Sequence, residues 1–120
     1  MCIGCRRPPR GWVGRRTEVS ATGVDLEALV GVMAAGSANS TMVGLKARPM
    51  LDHDFTPLFR LEHMLKDVGI CLDESAAAGA PFPSAALARE LYHAAMGRGL
   101  ADEDFAAVLE AVEGLAGVRL

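Results

Sequence analysis

The stretch FRLEHMLKDVGICLDESAAAGAPFP, residues 59–83, decides the fold. Leu61, Met64, Leu65, Val68 and Leu72 recur at the spacing that lines one face of a helix, and Gly79 with Pro81 beyond it supplies the stop. Lys66 lies off that stripe, one turn after Glu62. An i, i+4 ion pair is the arrangement this spacing favours, so Lys66 reads from periodicity as the solvated partner of Glu62.

The same period extends in both directions. Asp25 is placed to cap a first helix carrying Leu26, Leu29, Val30 and Met33, with Val24 set to staple against Leu29 and Gly36 to end it. SANSTMVGLKARPM, residues 37–50, predicts a second helix after Ser37, weakened at Gly44 and closed before Pro49. LDHDFTPLF, residues 51–59, has the Asp and Pro content of a loop. Beyond the long third helix, Ser84 is placed to cap a fourth in which Leu87, Leu91, Ala94 and Ala95 share a face before Gly97 and Gly99. Asp102, Glu103 and Asp104 put negative charge on the first turn of a fifth, where Phe105, Val108, Leu109 and Val112 repeat the spacing. Strand alternation and fixed-period repeats are both missing, so the fold class is all-α, a five-helix bundle.

Composition agrees. The 120 residues suffice for one domain, and a chain 51% hydrophobic but 5% aromatic suits close helix packing. A formal charge of −3 and a pI near 5.5 argue against a dedicated nucleic-acid binder. No window holds the run of about 18 apolar residues that a membrane span needs, and the start lacks the apolar run of a signal peptide, so the cytoplasm is the expected compartment. Residues 1–22 differ from the rest: Arg6, Arg7, Arg10, Arg15 and Arg16 with two prolines and no apolar period read as a basic, disordered tail before a domain at 23–120. An arm for nucleic acid or acidic lipid is the alternative there, weakly supported with Trp12 as its single aromatic residue.

Metal and redox chemistry find little support. Cys2 and Cys5 form a CxxC with neither a second ligand pair nor a βαβ context, and Cys71 leaves an odd count. Asp52, His53 and Asp54 are adjacent in a loop without HxxxH or ExxH spacing. His63 and His93 are single helical histidines, more often packed or solvated than catalytic, and Ser37, Asn39 and Ser40 suit capping better than carboxylate binding.

Taken together, the AGS after the first helix, the DF loop, the LKD in the long helix, the PFP turn and the late GLADEDF make residues 23–113 resemble the C-terminal helical domain of the 3-hydroxyisobutyrate dehydrogenase family of β-hydroxyacid dehydrogenases, with its 6-phosphogluconate dehydrogenase C-terminal domain-like fold. The resemblance implies that Lys66 faces an interdomain cleft and contacts NAD or NADP, with Asp67 beside it and with Phe59 and Ser37 near the cleft. The family more often has an apolar residue where His63 stands. It also implies a partner Rossmann domain or self-association, and a small β-hydroxyacid substrate in the intact enzyme. These enzymes carry a glycine-rich phosphate fingerprint and a catalytic lysine in a Gly-x-x-x-Lys-x-x-x-Asn setting. This sequence has no strand-GxGxxG-helix unit, and neither Lys46 nor Lys66 has that setting. The expectation is therefore a C-terminal domain fragment, such as a truncated or frameshifted gene would give, that is catalytically silent alone; the alternative is a non-enzymatic helical association module.

Overall fold

The computed structural model describes residues 23–120, and the readings made on residues 1–22 lie outside them. Five α-helices follow in order: α1 (Leu26–Ala35), α2 (Thr41–Asp52), α3 (Leu61–Ala77), α4 (Pro83–Gly97) and α5 (Val108–Ala116), the last entered through a 3₁₀ turn at Phe105–Ala107. The described residues contain no strand, only an isolated antiparallel bridge between Arg60 and Asp104. The all-helical expectation holds.

Local chemistry sets most boundaries. Asp25 caps α1, its carboxylate accepting from the amides of Glu27 and Ala28 at 3.0 and 3.2 Å. Ser40 caps α2 through the Val43 amide. Gly79, at φ +65°, takes the chain out of α3 where an L side chain would be strained.

Three boundaries or faces differ from expectation. α2 runs through Pro49 to Asp52 and ends at His53, which adopts the left-handed conformation at φ 50°. Proline in a helix costs about 3 kcal/mol. Lys46 before it is anchored to Asp104, and Met50 after it packs against the core, so tertiary contacts offset the local penalty. Ser84 does not cap α4: Phe82 is the cap residue and Pro83 opens the first turn, where its missing N–H has no helical acceptor to lose. The predicted faces of α4 and α5 are met only in part. Ala95 is buried on α4 as expected, but Leu87 and Ala94 are exposed; on α5 Val112 is exposed, while Ala106, Ala107 and Ala111 are buried. Small side chains let these backbones approach closely, a preference that a search for large apolar residues overlooks.

The core comprises Phe55, Leu61, Ala95, Ala106, Ala107 and Ala111, with Met50, Tyr92, Met96, Leu100 and Leu109 packed against it. Leu61, at the start of α3, is fully enclosed. α3 packs on α4 and α4 on α5, whereas α1 packs mainly on α2.

Candidate cofactor-facing surface

The loop between α2 and α3 is short of regular structure and rich in anchors. Asp54 begins it as an Asx turn, its Oδ1 accepting from the Thr56 amide and hydroxyl; these bonds hold the Asp54 carboxyl below its ordinary range. From there the chain is zipped onto residues 103–105: the Asp104 amide donates to the Phe55 carbonyl, the Phe105 amide to the Phe59 carbonyl and the Leu61 amide to the Glu103 carbonyl, each at 2.9 Å.

Asp104 is the centre of this arrangement. Its side chain is 2% exposed, and Lys46 of α2, itself buried, places Nζ 2.8 Å from Oδ2. The same oxygen accepts from the Leu58 and Phe59 amides at 2.9 and 3.3 Å, and Oδ1 accepts from the Ala106 amide at 3.0 Å. Lys46 Nζ also stands 4.8 Å from the centre of the Phe105 ring. Burial alone would push the Asp104 carboxyl up, but the lysine and the three amides outweigh it and hold the group below the ordinary carboxylate range. Nearby, burial and then the charge on Asp104 push the Tyr92 phenol up.

These bonds set the backbone of Phe59, whose amide and carbonyl are both taken. The residue remains 37% exposed, and the centre of its ring lies 5.8 Å from that of His63, one turn along. Lys66 follows on α3, with its side chain 66% exposed. The expected pair with Glu62 does not form: Lys66 stands 3.4 Å from Asp67, whereas Glu62 lies 3.5 Å from Arg60 and 3.6 Å from His63. The guanidinium at the start of the helix competes for Glu62, and exposed pairs of either kind contribute little. Exposed Leu58 and Ile70 flank this strip, so Lys66 is a cation on a partly apolar surface.

Ser37 is not brought to these residues by any bond. It lies exposed in the turn between α1 and α2, and no hydrogen bond or ion pair joins it to Phe59, Lys66 or Asp67. His53, rejected as a metal ligand, makes a different long-range contact: its Nε2 is 2.9 Å from Glu113 Oε1, which also accepts from the Leu120 amide at 2.7 Å. Among the described residues no cluster of three metal-ligating side chains occurs.

Comparison with known proteins defines the class. The family model described as "NAD-binding of NADP-dependent 3-hydroxyisobutyrate dehydrogenase" matches residues 18–112, and the chain belongs to this family. It is 38% identical over 91 residues to glyoxylate/succinic semialdehyde reductase 2, chloroplastic, of Arabidopsis thaliana, covering 76% of this chain and 25% of that protein. It is 35% identical to a probable 3-hydroxyisobutyrate dehydrogenase-like protein, mitochondrial, of the same plant, covering 82% of this chain and 29% of that one. A crystal structure of 3-hydroxyisobutyrate dehydrogenase from Salmonella typhimurium superposes with a TM-score of 0.71 at 28% identity, over 75% of this chain and 32% of that structure. The chain thus spans between a quarter and a third of the length of these relatives.

Proposed function

We propose that residues 23–120 form the helical side of the cleft in an NAD(P)-dependent dehydrogenase acting on small β-hydroxyacids, with Lys66 as its cofactor-contacting residue. The observation that carries this reading is the placement of Lys66: an exposed cation on α3, one and two turns beyond His63 and the ring of Phe59, on a surface the domain leaves uncovered. An ammonium and an aromatic ring fit one edge of a dinucleotide, the first for a phosphate or carboxylate oxygen and the second for a planar or sugar face. Nicotinamide, when bound, supplies the hydride chemistry. Phe59, Asp67 and, less directly, Ser37 border the same cleft in this reading.

The rest of the site, a Rossmann domain and a catalytic lysine, is contributed from outside residues 23–120. Alone, the purified 120-residue chain should therefore show no turnover of small 3-hydroxy acids with either nicotinamide cofactor. Joined behind a Rossmann domain and catalytic helix taken from a relative, residues 23–113 should support turnover. Robust activity of the chain by itself, or a fused protein that folds but stays inactive, would sink the proposal.

A second reading, self-association, is favoured by the surface. Leu29, Val32, Met42 and Leu45 of α1 and α2 and Leu87, Val112 and Leu115 of α4 and α5 are exposed. Such apolar exposure marks a surface that a neighbouring domain or a second copy covers. No helix of the described residues is long and apolar enough to cross a membrane. A cytoplasmic location belongs to this proposal, and two plant relatives carry organellar designations in their names.

A further inference from the structure

We propose that Asp104, neutralised by Lys46, is a positioning residue for the cofactor-facing surface: its carboxylate fixes Phe59 and the entry to α3 in their working geometry before any ligand arrives. The inference rests on the reading of Lys66 and Phe59 given above. Three elements converge on this one carboxylate: α2 through Lys46, the α2–α3 loop through the Leu58 and Phe59 amides, and the 3₁₀ turn through the Ala106 amide. An ion pair made only to join α2 to the 3₁₀ turn would leave the two loop amides to water. Here Oδ2 takes all three donors, so the charge that anchors Lys46 also immobilises the segment that displays Phe59.

Direction matters. The loop amides need an acceptor, which the carboxylate supplies and an ammonium cannot. Lys46 supplies the counter-charge that lets the carboxylate remain ionised inside the protein. Holding Phe59 by both its amide and its carbonyl removes the need to order this segment on binding, and preorganisation of that kind contributes to affinity without adding a contact.

Backbone amide exchange, followed by NMR on the full 120-residue chain, tests the proposal without any cofactor, so its failure is distinct from a failure of the Lys66 reading. In the unaltered chain the Leu58 and Phe59 amides should exchange at least about tenfold more slowly than free amides, as expected of charge-assisted bonds to a buried acceptor. Exchange at the free rate would overturn the proposal without recourse to any variant. In Asp104→Asn, exchange at both positions should rise by about tenfold or more relative to the change at Ala95 in the core of α4. The exchanged pair Lys46→Asp with Asp104→Lys separates positioning from mere cohesion. It restores opposite charges and should recover part of the melting temperature, yet leave Leu58 and Phe59 fast because an ammonium now faces their amides. Exchange at these two amides that follows Ala95 in Asp104→Asn, or that recovers in the swapped variant, would contradict the proposal.

Discussion

At the residue scale, two buried long-range side-chain contacts, one an ion pair and one a histidine–carboxylate hydrogen bond, carry the information that the sequence conceals. Lys46 meets Asp104 across 58 positions and His53 meets Glu113 across 60, and no local period relates partners so far apart. Asp104 reads in sequence as one of three acids at the start of a helix, which it is, since it caps the 3₁₀ turn through the Ala106 amide; its burial against Lys46 is a tertiary fact. The available hint was Lys46 itself, one of two lysines and set in the apolar run VGLKARPML. The depressed pKa of Asp104 has a consequence for stability. A carboxyl held below its unfolded value contributes stability that is fully present above about pH 4 and is lost as pH falls through the lower folded value. Asp104→Asn should therefore lower the melting temperature at pH 7, and the gap from the unaltered chain should narrow as pH drops below about 4. A gap that stays constant down to pH 2 would show that charge on Asp104 is not what matters.

At the scale of elements, legibility followed the origin of the forces. The cap at Asp25, the stripe of α3 and the stop at Gly79 are local, and all three appear where spacing and turn chemistry place them. The continuation of α2 through Pro49 and the burial of Ala106, Ala107 and Ala111 at the entry to and within α5 depend on what packs against them, which is why the periodicity of large residues misdirected the reading there. Two substitutions separate these cases. Asp25→Ala removes the acceptor for two amides of an exposed helix end and should cost about 0.5 to 2 kcal/mol in denaturant unfolding. Leu61→Ala empties the fully enclosed site at the head of α3 and should cost about 2 to 5 kcal/mol. Equal costs for the two would mean that the core is not centred on Leu61.

At the scale of the whole molecule, large apolar side chains are conspicuous outside as well as inside. Most members of the central core are alanines, while Leu29, Val32, Met42, Leu58, Leu87 and Leu115 are among those exposed. α1 is apolar around much of its circumference yet buries only Leu26. A helix of that kind is ordinarily covered. The isolated chain should then self-associate with rising concentration in sedimentation experiments, with a melting temperature that rises alongside. A monomer at every concentration, with a constant melting temperature, would contradict this.

The central claim, that Lys66 serves the cofactor rather than the surface, is tested most directly by Lys66→Ala in residues 23–113 joined to a relative's Rossmann domain and catalytic helix. Lys66 is exposed and pairs only loosely with Asp67, so its contribution to folding is at most a few tenths of a kcal/mol, about the worth of other exposed pairs. A charge-assisted contact inside a closed cleft is typically worth about 1.5 to 3 kcal/mol, or tenfold and more. The account predicts a fall of about tenfold or more in kcat/KM for the nicotinamide cofactor with the melting temperature unchanged, and only partial recovery in Lys66→Arg, whose planar fork differs from a compact ammonium. Cofactor kcat/KM equal to that of the parent fusion in both variants would contradict it, and would leave Lys66 a solvated lysine beside Asp67.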